Sequence, residues 1–129
     1  MIKKQLTLID LCDIDDNDDI YRISTEQKNV KLYESIKTIG LVNPLVVQEK
    51  QTGYRMVCGF KRFSILSELQ ARKTEAFVLP NALPSVDVFW YAVMDNLSIR
   101  QLNAIEVSLI ISTLETSFFV SQEKIIQHY

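Results

Sequence analysis

The sequence predicts an α+β fold, in which a small mixed sheet with helices is followed by a helical extension. From Tyr54 to Leu66, apolar residues alternate at a period of two before Gly59 and recur at helical spacing after it. Up to about residue 80 the apolar pattern switches between these two periods, and beyond it the pattern is helical. The 129 residues are 47% hydrophobic, which suffices for one conventional core.

A strand and an acidic loop open the chain. Residues 6–14 (LTLIDLCDI) are predicted as a strand, and the stretch DIDDNDDIYR that follows is predicted as a loop. Asp13, Asp15 and Asn17 imitate the start of a calcium loop, but the glycine and the closing glutamate of such a loop are missing. A solvated acidic loop is therefore preferred over a metal site.

The clearest helix follows this loop in the stretch NVKLYESIKTIG. Leu32, Ile36 and Ile39 recur at i, i+4 and i+7 and are predicted to share one buried face. Lys37 lies near the end of the helix, and Gly40 is placed as a C-terminal cap.

A hairpin and a second helix come next. Residues 41–58 predict two strands joined by a turn at residues 51–53. Residues 60–71 are predicted to form a helix after Gly59, and EAFVLP is predicted to form a short strand that Pro80 ends. The predicted order is therefore strand, helix, two strands, helix and strand.

Two domains are predicted: an α+β unit at residues 1–80 and a helical extension at residues 81–129. Within the extension, Asn103 is predicted as an N-cap and Glu106 as its capping partner. A third helix opens at Ser121, as at the start of a truncated helix-turn-helix region. The aromatic residues of the extension are predicted to form core or a dimer contact rather than a base-stacking surface.

Composition excludes several classes of function. With 14 basic and 16 acidic residues the formal net charge is −2, so the chain lacks the basic surface that drives nonspecific nucleic-acid binding. No secretory segment or membrane-spanning apolar run is present, which predicts a cytoplasmic protein without a membrane partner. Cys12 and Cys58 fit no metal or redox spacing and are predicted to be free thiols, with Cys58 in the core.

Two adjacent cations, Lys61 and Arg62, occupy the predicted first helical turn after Gly59. A helix N-terminus carries partial positive charge and unpaired N–H groups, so basic side chains are unfavourable there unless an anion is bound. The glycine, the N–H groups and the two cations together predict an anion site. The alternative is an ordinary solvated helix start.

These segments resemble the N-terminal domain of ParB-type chromosome and plasmid partition proteins, in the superfamily that also contains sulfiredoxin. The stretch LYESIKTIGLVNPLVVQEKQTGYRMVCGFKRFSILSEL is similar to a family pattern that runs from Gly-Leu-Ile-Gln-Pro through a hairpin to a Gly-Glu-Arg-Arg turn. DNLSIRQLNAIEVSLII is similar to a later stretch, Glu-Asn-Leu-Gln-Arg followed by Leu-Asn-Pro-Ile-Glu, and DIYRIS to an early Gln-Pro-Arg box.

The resemblance implies a nucleotide site. In the family, the Gly-Glu-Arg-Arg turn binds the phosphates of CTP, the later Glu-Asn pair holds magnesium, and nucleotide binding closes a dimeric clamp on DNA. Carried over, Mg²⁺ and CTP or another nucleoside triphosphate are the expected cofactors, with Asp95 and Asn96 as metal ligands. The implied nucleotide-binding residues are Gly59, Phe60, Lys61, Arg62, Asn43, Arg22 and Asn96.

Departures from the family pattern remove charge. Phe60 replaces the family's Glu and Lys61 its first Arg, while Ser64 and Ile99 replace two further arginines and Arg100 is displaced by one position. Lysine acts on phosphate as a point charge and cannot form the bidentate fork of arginine.

The resemblance thus implies the nucleotide-responsive N-terminal domain of a DNA-binding partition or plasmid-maintenance protein. It implies a homodimer, a partition ATPase as partner, at most a weak CTPase activity, and DNA contact through a region largely absent from this chain. Alternatives are a phosphotransferase or nuclease on the same fold, with Asp95 as the candidate base, and a ligand-free interaction domain. Sulfiredoxin activity is disfavoured because Phe60 stands at the catalytic cysteine position.

Overall fold

The computed structural model describes residues 4–23, 29–99 and 104–116. The chain divides into two units, the first comprising Met1–Arg22 and Glu26–Leu83 and the second Ile23–Thr25 and Pro84–Tyr129. Among the described residues, the first unit contains a sheet and two α-helices, and the second contains two α-helices.

Five strands form the sheet of the first unit: β1 (Gln5–Asp10), β2 (Ile14–Asp15), β3 (Leu45–Glu49), β4 (Tyr54–Cys58) and β5 (Lys73–Leu79). Their order across the sheet is β1-β5-β3-β4-β2. β5 is antiparallel to β1 and parallel to β3, while β4 is antiparallel to β3 and parallel to β2. The predicted α+β fold with a mixed sheet is therefore confirmed.

The predicted opening strand is interrupted. A short 3₁₀ turn at Leu11–Asp13 separates β1 from β2, which lies at the opposite edge of the sheet. The backbone N–H of Leu11 still donates to the carbonyl of Arg72 at 2.9 Å, so the chain follows β5 to this residue before it crosses. The prediction of one continuous strand from residue 6 to residue 14 was wrong because local pattern does not show which neighbour a strand pairs with.

Helix α1 (Val30–Ile39) matches its prediction closely, whereas helix α2 (Phe60–Glu68) is shorter than expected. The amide of Gly40 closes α1 by donating to the carbonyl of Ile36 at 2.9 Å. The predicted end of α2 at residue 71 was wrong, since Gln70 has a φ of 58° and breaks the helical path.

The core of the first unit lies between one sheet face and the two helices. Leu32 and Ile36 contribute from α1 as predicted, but Ile39, the last helical residue, is 69% exposed and does not complete the predicted stripe. The buried members of this core are Ile9, Leu11, Ile14, Ile36, Leu45, Val47, Met56, Ile65, Leu66 and Ala76.

The central strands are buried on both faces. Met56, Val57 and Cys58 are all at most 2% exposed, and Tyr54 and Arg55 before them are both partly buried, so the expected half-buried alternation of β4 was wrong. Gln48 is buried on the face opposite the helices, where its amide donates to the carbonyl of Pro80 at 3.2 Å and its oxygen accepts a long 3.5 Å hydrogen bond from Tyr21. This buried polar side chain is thus satisfied from both ends.

The second unit contains α3 (Ser85–Ile99) and α4 (Ala104–Thr116). Both helices fall within the predicted helical extension. The predicted N-cap Asn103 and the predicted third helix at Ser121 lie outside the described residues. None of the described helices has the length and apolarity needed to cross a bilayer.

Candidate functional site

The turn from β4 into α2 is made by Gly59, which has φ +96° and ψ 32°. This left-handed conformation suits glycine because it lacks a Cβ. The carbonyl of Gly59 accepts the first helical hydrogen bond, from the amide of Phe63 at 2.8 Å, but the residue supplies no side chain to cap the helix. The amides of the first turn therefore converge at a helix start that has no side-chain cap.

Close packing also requires glycine at this position. A Cβ on Gly59 would lie 2.9 Å from Nη2 and 3.2 Å from Cζ of Arg62, and 3.0 Å from Cδ2 of Leu45. The guanidinium group thus lies against the backbone of the turn. Any larger residue at position 59 must displace it as well as adopt a strained φ.

Arg62 binds the main chain that precedes β3. Its Nη1 donates to the carbonyl of Asn43 at 2.6 Å and to the carbonyl of Pro44 at 3.0 Å. The structure thus brings two predicted site residues together, but through the backbone of Asn43. Arg62 holds the Asn43-Pro44 segment against the start of α2, a positioning role that the sequence did not reveal.

Phe60 and Arg22 also lie together. The guanidinium carbon of Arg22 is 5.7 Å from the centroid of the Phe60 ring, within the range of a cation–π contact. Phe60, which stands at the position of the family's Glu, therefore contacts this cation with its ring face. Sequence reasoning could not find this pair, since its members are far apart in the chain and neither stands in a pairing motif.

A cleft of about 740 Å³ opens beside these residues, within the usual size range of small-molecule sites. Three predicted site residues, Arg22, Phe60 and Lys61, line it on the cationic side. The acidic loop forms much of the rest, together with the start of α1 and further residues of α2. The remaining lining residues are Asp15, Asp16, Asp18, Asp19, Asn29, Val30, Tyr33, Met56, Phe63, Ser64, Ile65, Ser67 and Glu68.

Ion pairs neutralise part of the acidic loop. The ammonium group of Lys50 lies 3.0 Å from Asp15 Oδ2 and 3.1 Å from Asp18 Oδ2. Nε of Arg55 lies 3.3 Å from Asp18 Oδ2, close enough for an ion pair but not aligned for a hydrogen bond. The hairpin that carries both cations therefore holds the loop in place and offsets two of its charges.

The pKa of Asp15 is lowered, chiefly by the hydrogen bond from Lys50 and next by the backbone amide of Asn17, which donates to Oδ1 at 3.0 Å. The same contacts raise the pKa of Lys50, first through Asp15 and then through Asp18. Both oxygens of Asp15 are thus engaged within the protein. Within the described residues, no three His, Cys, Asp or Glu side chains group into a metal site.

The predicted metal ligands Asp95 and Asn96 lie in the second unit, near the end of α3, and both are half-buried. The amide nitrogen of Asn96 donates to the carbonyl of Ala92 one turn earlier, at 2.8 Å. The side chains of Ile99 and Arg100 lie outside the described residues.

Cys58 is 2% exposed, which confirms its predicted place in the core, whereas Cys12 is exposed; both are free thiols. Phe89, on α3, is 1% exposed, which agrees with a core role for this aromatic residue.

The fold and the turn together define the class: a mixed-sheet α+β domain with a glycine-initiated helix start bearing two cations. The model of the ParB N-terminal domain family matches residues 2–97. The chain therefore belongs to the ParB N-terminal domain family, as the sequence resemblance predicted.

A curated relative, the chromosome-partitioning protein ParB of Myxococcus xanthus (strain DK1622), is 30% identical over 100 residues. That alignment includes 78% of this chain but only 33% of the relative, so the chain corresponds to about a third of the relative's length.

Solved structures support the fold. A Pnob8-like ParB-N domain superposes with a TM-score of 0.71 at 13% identity, covering 92% of this chain and 47% of that one. C-terminally truncated ParB from Caulobacter crescentus, complexed with CTP-gamma-S, superposes with a TM-score of 0.61 at 22% identity, covering 96% and 70%. The same protein complexed to the centromeric parS site superposes with a TM-score of 0.59 at 18% identity, covering 95% of this chain and 63% of that one.

Proposed function

We propose that this chain is the nucleotide-responsive N-terminal domain of a ParB-type partition or plasmid-maintenance protein. A nucleoside triphosphate, CTP by analogy with the Caulobacter protein, places its phosphates at the start of α2. One observation carries the proposal: this helix start has no side-chain cap and has two cations in its first turn, Lys61 and Arg62. Such an arrangement is stabilised by a bound anion.

The two cations have different tasks in this proposal. Lys61 lines the cleft and supplies a point charge to phosphate. Arg62 positions the turn through the carbonyls of Asn43 and Pro44. Phe60 and Arg22 form the adjoining wall, where the ring offers a face for a base or ribose and the guanidinium a further charge.

Magnesium accompanies the nucleotide. Asp16 and Asp19 of the cleft would repel a free triphosphate, so a divalent cation reduces the electrostatic cost of binding. Asp95 and Asn96 would supply hard oxygen donors, which Mg²⁺ prefers, and this ion commonly takes only one or two protein ligands beside phosphate oxygens. The donor chemistry fits their proposed role as metal ligands.

In the whole partition protein, we expect a cytoplasmic homodimer that contacts DNA through a region largely absent from this chain and works with a partition ATPase. The net charge of −2 agrees with a domain that does not itself supply the nonspecific phosphate contacts. The Caulobacter structure bound to the centromeric parS site supports DNA as the partner of the full-length protein.

Calorimetric titration with each nucleoside triphosphate, with and without Mg²⁺, tests the proposal. We expect selective, magnesium-dependent binding, which Lys61→Ala weakens about tenfold, the loss of one charge-assisted hydrogen bond. Lys31→Ala is the matched control, because Lys31 holds the same second helical position in α1. Asp95→Ala should remove the magnesium dependence.

Three other results would each point to a different conclusion. Equal weakening by Lys31→Ala and Lys61→Ala would reduce the effect to net charge and reject the site. No binding of any nucleotide would favour the ligand-free interaction domain. Continuous heat release with product formation would favour a phosphotransferase or nuclease on this fold.

A further inference from the structure

Strand β1 is an edge of the sheet that nothing in the described part of the chain covers. β5 pairs with one side of β1 over six consecutive positions, from Gln5 opposite Val78 to Asp10 opposite Lys73, without a register shift. The strand contains no proline or glycine. Its outward N–H and C=O groups therefore form a regular template for another strand.

One face of this edge strand is apolar at its centre and charged at its ends. Leu6 and Leu8 are 51% and 61% exposed, and Ile9, on the opposite face, is buried in the core. Since side chains alternate, Lys4 and Asp10 flank the two leucines on the same face. The order along this face is thus cation, leucine, leucine, anion.

That order is complementary to itself when read antiparallel. With a two-fold axis at Thr7, Lys4 lies opposite Asp10 of the other copy and Leu6 lies opposite Leu8, each pair occurring twice. Directly opposed side chains in an antiparallel ladder are in contact, and pairs of opposite charge or matched apolar type stabilise it.

The neighbouring registers lack this complementarity. An axis at Leu8 sets Leu6 against Asp10, and an axis at Leu6 sets Lys4 against Leu8. A two-fold axis between two residues would pair even-numbered with odd-numbered positions. The helix-covered face of one sheet would then continue into the opposite face of the other, and the two leucines of each copy would not meet.

We propose that β1 pairs with β1 of a second copy of this chain about a two-fold axis at Thr7, joining two five-stranded sheets into one. The interface is isologous, as in most homodimers. It uses neither the start of α2 nor a nucleotide, so it is a second contact, separate from a nucleotide-closed clamp. Asp10 keeps its own Lys73 nearby, at 3.9 Å, and the ammonium of Lys4 lies 4.5 Å from the centroid of the Phe77 ring, so the new pair adds to a contact that each side chain already makes.

Site-directed disulfide formation tests the register. In a Cys12→Ser background, which removes the exposed thiol, Thr7→Cys places each new cysteine opposite its own copy. The expected Cα separation of about 4.5 to 5.5 Å is within disulfide range. Gln5→Cys is the control, because its two copies would lie about 14 Å apart along the strands. Under mild oxidation without nucleotide, we expect a covalent dimer from Thr7→Cys and little from Gln5→Cys.

Charge reversal tests the chemistry by sedimentation equilibrium. Lys4→Asp or Asp10→Lys alone turns two attractive pairs into repulsive ones and should weaken the dimer about tenfold. The double reversal restores opposite charges and should return the affinity to within about threefold of the unmodified chain. Circular dichroism melting of each variant shows whether the monomer fold is retained.

Three results would overturn the inference: equal crosslinking at positions 5 and 7, a double reversal as weak as the single variants with an intact fold, or a monomer at every concentration examined. Nucleotide titration of Lys61→Ala is a separate readout. A failure of the edge contact therefore leaves the nucleotide proposal standing, and a failure of nucleotide binding leaves the edge contact standing.

Discussion

The first unit contains two helix starts that differ in how the unpaired N–H groups of the first turn are satisfied. At α1, the side chain of Asn29 accepts a hydrogen bond from the amide of Leu32 at 3.0 Å. At α2, Gly59 offers no side-chain acceptor. A lysine occupies the second helical position in both, as Lys31 and Lys61. The comparison teaches that a lysine near a helix start is not itself a signal, and that the missing cap distinguishes the candidate site.

The third helical position separates the two starts further. In α1 it is Leu32, which packs against the core. In α2 it is Arg62, whose guanidinium lies on Gly59 and donates to the carbonyls of Asn43 and Pro44. The uncapped start is therefore fixed from outside, through the chain segment before β3, and its amides keep their positions without a capping side chain.

The largest expected effect comes from Gly59→Ala. Left-handed backbone costs a non-glycine residue about 1 to 2 kcal/mol, and displacing Arg62 and Leu45 adds about 1 kcal/mol. We expect urea denaturation to show a loss of about 2 to 3 kcal/mol in the free energy of unfolding. The control is the same change in an Arg62→Ala background, where two of the three close contacts are gone and the cost should fall by about 0.5 to 1 kcal/mol. Strict additivity would show that the guanidinium does not pack on the turn.

The next largest effect on stability distinguishes Arg62 from Lys61. Arg62→Ala should lower the free energy of unfolding by about 1.5 kcal/mol, because it removes charge-assisted hydrogen bonds to two carbonyls. Lys61→Ala should change it by less than about 0.5 kcal/mol, as expected for a residue away from such bonds. Arg62→Lys should fall between them, since lysine lacks the planar fork. A Lys61→Ala variant as unstable as Arg62→Ala would contradict the proposed division of tasks.

The capped start of α1 should respond in stability. Asn29→Ala is expected to lower the free energy of unfolding by about 1 kcal/mol through the lost cap, whereas Asn29→Ser, which keeps a capping oxygen, should lower it little. Urea denaturation measures both costs. An equal loss of stability in the two variants would show that the capping oxygen does not stabilise α1.

The smallest effect is a pH dependence of the acidic loop. The hydrogen bond from Lys50 holds the pKa of Asp15 below its ordinary 3.8. The contribution of Asp15 to the free energy of unfolding is therefore complete above the pKa of the unfolded state, and it is lost as the pH falls through the lower pKa of the folded state. The pKa of Lys50 is raised above 10.5, so its contribution is lost only as pH rises through that higher value.

Urea denaturation at pH 6 and pH 3 measures this effect. At pH 6 the unmodified chain should have a higher free energy of unfolding than Lys50→Met, and this difference should become smaller at pH 3. Lys73→Met is the control, since its ion pair with Asp10 is long and exposed. An unchanged difference between the two pH values would show that the Lys50 pairs do not stabilise the fold.

Local sequence determined much of the architecture. The period change at Gly59, the cap residue Gly40 and the turn before Tyr54 each specify a conformation through nearest-neighbour physics, and the structure has each of them. The same short-range rules identified the start of α2 as the candidate anion site. They failed where pairing mattered, as in the interrupted opening strand and the doubly buried β4.

Tertiary structure alone decided how the candidate site is arranged. The contacts of Arg62 with Asn43, of Phe60 with Arg22 and of Lys50 with Asp15 join segments that are 19 or more residues apart in the chain. Charged and aromatic side chains have many partners open to them in an extended chain, and the sequence pattern does not rank those partners. The sheet order places the hairpin beside β2 and the acidic loop that follows it, and this placement decides that Lys50 pairs with Asp15. The sequence therefore determined that a cationic helix start exists, and the packing of distant segments decided which of its cations binds the protein and which lines the cleft.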